Sequence, residues 1–162
     1  MTTALDDLKA RLSASLGPQA LRDPEPRYFE EPRGRWHGTG VVVAPRSTEG
    51  VAKVVQIASE TGTPVVPYSG GTGLVGRQIL EVGTPIVLSL ERMNKIRATY
   101  PEENVIVVDA GCTLAAVQDA AAKIDRLFPL TYGSEGTAKI GGALSVNSGG
   151  LNVLRHPVAQ HI

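Results

Sequence analysis

The chain has 162 residues, with 16 basic and 16 acidic side chains, a 42% hydrophobic fraction and 4% aromatics. That length carries one ordinary domain with a core, and zero net charge with few aromatics leaves no footprint for nucleic acid or an anionic membrane surface. A lone cysteine, Cys112, excludes an internal disulfide framework, and no apolar run approaches the roughly 20 residues that span a bilayer.

The amino terminus, Met1-Thr-Thr-Ala-Leu-Asp-Asp, carries acids early and lacks an apolar segment. It is not expected to be a signal peptide, and the cytoplasm is the expected location. Leu5, Leu8, Leu12 and Leu16 recur at spacings of three and four, which predicts an amphipathic helix stopped by Gly17-Pro18. Asp23 to Gly38 is rich in proline, glycine and charge and reads as an irregular, surface-hugging segment with Trp36 as a packing anchor.

Val41-Val-Val-Ala predicts a buried strand. Ser47 is a plausible N-cap for a helix that carries Val51, Val54, Val55 and Ala58 on one face and ends at Thr61-Gly62. Pro64-Val-Val-Pro-Tyr is a second short strand, and this β-α-β unit is expected to pair its two strands in parallel. Pro85 to Leu90 and Asn104 to Asp109 are further strands, and Thr113 caps a helix containing Leu114, Val117 and Ala121. The expected class is α/β, with short helices covering one side of a small mixed sheet.

Eighteen glycines are unevenly spread. The first cluster, Pro67-Tyr-Ser-Gly-Gly-Thr-Gly-Leu-Val-Gly76, follows directly on a strand. Glycine lets a phosphate approach the main chain, where successive N–H groups form an anion nest, and Ser69 and Thr72 add hydroxyl donors. The nearest cation in sequence is Arg77. The pattern Gly71-x-Gly73-x-x-Gly76, with Glu91 following 20 residues on, formally matches a dinucleotide fingerprint. That fingerprint needs a helix opening within the box, and the segment Arg77–Val82 is too short for one. A Walker A loop is excluded, since no Gly-Lys-Ser/Thr follows. The bland alternative is a surface turn without a ligand.

The second cluster runs from Gly133 to Gly150. Thr137 could cap a short helix from Ala138 towards Val146, and Gly141-Gly142 inside it implies that something packs against the backbone. Asn147-Ser-Gly-Gly adds polar side chains and main-chain donors. The alternative is a glycine-softened buried helix.

Taken together, Tyr28–Gly38, Arg46-Ser-Thr-Glu-Gly, Pro67–Gly76, Val108-Asp-Ala-Gly-Cys-Thr and the second cluster resemble, in order, the FAD-binding domain of the vanillyl-alcohol oxidase and p-cresol methylhydroxylase superfamily. The branch most similar is that of FAD-linked 2-hydroxy-acid dehydrogenases of the D-lactate, glycolate-oxidase-subunit and D-2-hydroxyglutarate types. The resemblance implies an α+β fold of the p-cresol-methylhydroxylase type, built of α/β subdomains with small mixed sheets and here without a substrate domain. It implies an FAD site in which Ser69, Gly70, Gly71, Thr72, Gly73 and Leu74 wrap the pyrophosphate. Gly133, Ser134, Thr137, Gly141, Gly142, Asn147 and Gly150 would lie along the rest of the cofactor. Thr72 stands where some relatives carry a histidine that tethers the flavin, so the resemblance implies non-covalent FAD. Tyr68 departs from the Arg or Gln of many relatives.

The implied organisation is a lead-in at 1–39, a partial FAD-binding domain at 40–155, and an anomalous tail at 156–162 where relatives continue. The implied reaction is oxidation of a 2-hydroxy acid to a 2-keto acid. No catalytic residue is assigned here, because in the family substrate groups come mainly from a following domain, so the chain alone is expected to be inactive and to leave apolar surface uncovered. Two other readings stay open: an FAD transferase similar to alkyl-dihydroxyacetone-phosphate synthase, and a non-functional truncated product. His37, His156 and His161 form no expected metal set. Cys112 reads as a small buried residue or, through its place before a helix, as a thiol of lowered pKa.

Overall fold

The computed structural model describes residues 3–155, 158 and 159. The tail at 156–162, with His156 and His161, therefore lies almost wholly outside the described residues. The described chain divides into two compact units, Met1–Arg92 and Met93–Ile162.

The first unit opens with α1 (Ala4–Leu16), where Thr3 and Asp6 close a capping box and Leu8 and Leu12 face the core. β1 (Val41–Val43) leads into α2 (Thr48–Thr61), which begins where the Ser47 side chain accepts from the Gly50 amide. It ends at Gly62 in the left-handed conformation, as a C-terminal glycine cap requires. Val54, Ile57 and Ala58 form its buried face, while Val55 is exposed.

β2 (Val65–Tyr68) and β3 (Ile86–Ser89) complete a parallel sheet of order β1-β3-β2. The expected pairing of β1 with β2 is thus corrected. Each pairs with β3, which inserts between them with Ile86 opposite both Val41 and Val65. The central strand is buried along its whole length, and its residues are the apolar Ile-Val-Leu run that two-sided burial demands.

Period-two alternation sorts the strand side chains to two faces. Val41, Val43, Ile86 and Leu88 pack with Leu8, Leu12, Val54 and Ile57 from the helices. On the other face Val42 and Val87 meet Tyr28, Tyr68 and the edge of Phe29. So the lead-in segment is the second covering layer of the sheet, in place of a helix. Its Tyr28 ring is fully buried, with its centroid 5.0 Å from that of Tyr68 in an edge-to-face contact.

The second unit contains an antiparallel hairpin, β4 (Ile96–Tyr100) and β5 (Val105–Val108), joined through Asn104 in the left-handed conformation. β4 had no counterpart among the predicted strands. α3 (Leu114–Ala122) starts at Thr113, whose hydroxyl accepts from the Ala116 amide. Leu114, Val117, Leu130, Ile140 and Cys112 form the core of this unit. Cys112 is buried and its thiol is pushed up by that burial, so the buried-residue reading holds over the activated-thiol one.

α4 (Ile140–Ser145) corrects a second expectation: it begins after Lys139, and Thr137 is exposed and does not cap it. The Leu114 amide donates to the Ala138 carbonyl and Lys139 bridges to Thr113, which keeps the chain extended until Lys139. Ile96, Tyr100, Val105 and Val107 of the hairpin are exposed, as are Val146, Leu151 and Leu154. No helix among the described residues is long and apolar enough to cross a membrane.

Candidate functional site

The first glycine box leaves β2 as a single irregular turn. No helix follows it before β3, in agreement with the rejection of a dinucleotide fingerprint. Glu91, the acidic residue which that fingerprint would have used, is instead engaged by Tyr28, Arg22 and Arg27. Ser69, Gly70, Gly71 and Thr72 are half-buried, and Gly73 and Leu74 are exposed.

Gly71 has φ +68°, and a Cβ there would lie 2.4 Å from the Tyr68 hydroxyl. Both the conformation and the space therefore demand glycine. Tyr68, the position that departs from the family pattern, donates its hydroxyl to the Arg27 carbonyl at 2.7 Å and so lies beneath the turn as a structural strut.

Several carbonyls of the box are tied to the protein. Gln78 donates to the Gly73 carbonyl at 3.0 Å, and the Arg35 guanidinium donates to the Leu74 carbonyl. The amide N–H groups from Ser69 to Leu74, by contrast, donate to no acceptor among the described residues. The Ser69 Oγ is buried and also has no hydrogen-bond partner among them. Buried hydroxyls without a partner are uncommon in native proteins and point to a polar group that belongs there. A turn whose donors are free, and several of whose acceptors are occupied, is suited to an anion.

Arg35 supplies a cation that the neighbourhood of the box did not foretell. It comes from 39 residues upstream. Its partner Glu31 is buried, and accepts from the Arg35 guanidinium at 3.1 Å and from the amides of Arg33 and Arg35. Burial pushes the Glu31 carboxyl up, but these donors outweigh it and hold the group below its ordinary value. Glu31 and Arg35 lie in Tyr28–Gly38, one of the segments that carry the family resemblance, but neither they nor Gln78, two residues past the box, stood out by residue type.

The second box is more dispersed. Gly133 and Thr137 are exposed and Ser134 is half-buried in the turn before α4, where the Ser134 carbonyl accepts from the Thr137 and Ala138 amides. Gly141 and Gly142 lie in the first turn of α4, and Asn147, with φ 51°, lies just past its end. A Cβ on Gly141 would stand 2.7 Å from that of Ala110 and 2.8 Å from its carbonyl oxygen. The group that packs against this backbone is thus another stretch of the same unit. Gly150 likewise presses on the Thr131 backbone, whose carbonyl accepts from the Leu151 amide.

The family model described as an FAD binding domain matches residues 39–162, which is most of the chain. The chain belongs to this FAD-binding family. Curated relatives include mitochondrial D-2-hydroxyglutarate dehydrogenase of Bos taurus, 34% identical over 93% of this chain and 28% of the relative. The D-2-hydroxyglutarate–pyruvate transhydrogenase of Saccharomyces cerevisiae is 33% identical over 88% of this chain and 28% of the relative. The D-2-hydroxyglutarate dehydrogenase of Xanthomonas citri pv. viticola is 37% identical over 75% and 26%. The chain therefore spans little more than a quarter of the length of these relatives.

Solved structures carry the same fold at lower identity. Alkyldihydroxyacetonephosphate synthase superposes with a TM-score of 0.84 at 19% identity, covering 96% of this chain and 32% of that one. p-Cresol methylhydroxylase gives 0.66 at 21% identity, covering 89% and 29%. The α+β fold of the p-cresol-methylhydroxylase type is that of this FAD-binding family, and the free donors of the first box fit a cofactor that carries a pyrophosphate.

Proposed function

We propose that this chain is the FAD-binding portion of a flavoprotein oxidoreductase that converts a 2-hydroxy acid to a 2-keto acid, and that it holds FAD without a covalent tether. The observation that carries the cofactor reading is the first box, whose buried Ser69 hydroxyl and row of amides have no hydrogen-bond partner among the described residues. Ser69, Gly70, Gly71, Thr72, Gly73 and Leu74 would hold the pyrophosphate by main-chain and hydroxyl donation. Gly133, Ser134, Thr137, Gly141, Gly142, Asn147 and Gly150 are assigned to the remainder of the cofactor. A threonine hydroxyl at position 72 has no nucleophilic nitrogen for flavin attachment, which supports non-covalent binding.

When bound, FAD supplies a two-electron acceptor. The substrate class is taken from the names of the curated relatives, three of which act on D-2-hydroxyglutarate. Recognition of a hydroxy acid needs a cation for its carboxylate and a base for its hydroxyl. We assign both to the larger remainder of such proteins, so this chain alone has no turnover.

Titration of FAD into the folded chain, followed by flavin fluorescence and calorimetry, tests the cofactor reading. Saturable binding, with all flavin released into the supernatant on acid precipitation, is the expected result. A folded sample that leaves flavin fluorescence and heat unchanged would remove the cofactor claim. Flavin bleaching by D-2-hydroxyglutarate with the chain alone would overturn the assignment of substrate groups elsewhere.

A further inference from the structure

The stretch from Glu30 to Gly38 precedes the region matched by the family model, yet it holds the first glycine box. We propose that Arg35, oriented by the buried Glu31, is a positioning residue for FAD: it fixes the Leu74 carbonyl so that the box presents its amide donors to the pyrophosphate. The proposal rests on the FAD-binding reading above.

Glu31 has a completely buried side chain, and a carboxylate there is tolerated only when its oxygens are satisfied. It accepts from the Arg33 amide at 3.0 Å, the Arg35 amide at 3.2 Å and the Arg35 Nη2 at 3.1 Å. This set fixes both the backbone turn and the direction of the guanidinium. The same Nη2 donates to the Leu74 carbonyl.

Arg35 also lies over the Trp36 ring, 4.4 Å from its centroid. That ring abuts Gly76, where a Cβ would come within 2.8 Å of Cδ2. The box is therefore gripped at Leu74 and Gly76 by consecutive residues of the lead-in. Gln78 holds the residue just before Leu74 through the Gly73 carbonyl.

The electrostatic consequence concerns which pole of each peptide meets the ligand. A carbonyl oxygen left free in such a turn can rotate towards a phosphate and repel it. A carbonyl committed to a guanidinium cannot, and its peptide keeps the orientation that exposes the donors. Preorganised donors bind more tightly because no ordering is left to be done on association.

The test uses the 162-residue chain and its Arg35→Met, Arg35→Lys, Glu31→Gln and Arg33→Ala variants. Backbone 15N relaxation without ligand reads the order of the Gly71–Leu74 amides, FAD titration reads affinity, and thermal melting checks folding. The wild type is expected to show order parameters near ~0.85, falling below about 0.6 in Arg35→Met. The FAD dissociation constant should rise at least about tenfold in that variant, the scale of one lost charge-assisted hydrogen bond.

Arg35→Lys should recover part of both, Glu31→Gln should resemble Arg35→Met more weakly, and Arg33→Ala should match wild type. Unchanged order in a folded Arg35→Met variant would overturn the proposal, as would a loosened box with unchanged affinity. If the wild type binds no FAD, the cofactor reading fails. The ligand-free order parameters still decide whether Arg35 braces the box.

Discussion

Tyr28 and Glu91, 63 residues apart in the chain, meet over the face of the parallel sheet that no helix covers, where the phenol donates to the carboxylate at 2.9 Å. Arg22 and Arg27 approach the same carboxylate at 3.0 and 3.1 Å. A lead-in segment whose Arg27 and Tyr28 lie in one short 3-10 turn is thereby fastened just past the end of β3 by charge-assisted bonds around one buried ring.

Replacing Tyr28 with Phe keeps the edge-to-face contact with Tyr68 but removes the donor. Unfolding in urea should show a loss of about 1.5–3 kcal/mol, the range for a hydrogen bond to a charged group. Tyr28→Ala should cost more, about 3–5 kcal/mol, because the fully buried ring also leaves a cavity.

Acid should weaken both units through carboxylates held below their ordinary values. For Glu91 burial acts upward, but the Tyr28 hydrogen bond and the Arg27 and Arg22 charges prevail. For Asp109 the Lys95 amide is the main cause, helped by Arg97 against burial. A lowered folded value means that these contributions are complete above the unfolded values of about 4 and disappear as pH falls through the folded ones. Denaturant midpoints should be flat from neutrality to about pH 5 and then drop, and Glu91→Gln should flatten part of that drop. Tyr28, pushed up to about 12 by burial and the neighbouring Glu91, should show no phenolate absorbance in the folded chain at pH 10.

Ser69→Ala should act with opposite sign on folding and on binding. Without ligand it removes a buried hydroxyl that has no partner among the described residues, so stability should hold or rise by about 1 kcal/mol. FAD affinity should fall roughly tenfold from the lost donor. A fall in both melting temperature and affinity would instead mark Ser69 as a structural residue.

The two glycines at Gly141 and Gly133 should respond differently to the same added methyl group. At Gly141 it collides with Ala110 backbone and side chain, so Gly141→Ala should lose about 1–3 kcal/mol. Nothing lies within 4 Å at Gly133, and Gly133→Ala should stay within about 0.5 kcal/mol of wild type. Paired chemical denaturation curves separate these outcomes.

Cys112 should resist thiol reagents in the folded chain. It is 1% exposed and its thiol is pushed up by burial. Ellman's reagent at pH 8 should modify the sample at the rate of unfolding and reach one thiol per chain in denaturant. Immediate reaction of the native protein would contradict the packing of Cys112 in the second unit.

Local sequence determined the features that local physics controls. Ser47, Gly62 and Thr113 bound their helices where the caps were expected, since capping involves atoms within one turn of the chain. The site of the first glycine box and the absence of a helix after it were equally legible, because the spacing to β3 leaves no room for one. Tertiary structure decided the rest. β4 carries a sequence, Ile96-Arg-Ala-Thr-Tyr, without clear alternation, and becomes a strand only because β5 pairs with it. The start of α4 moved because Ala138 and Lys139 are held extended by Leu114 and Thr113. The insertion of β3 between β1 and β2, the Tyr28–Glu91 bond and the reach of Arg35 to Leu74 join residues far apart in the chain. No pattern of neighbours encodes such contacts; they exist only once burial has selected one packing of the whole unit.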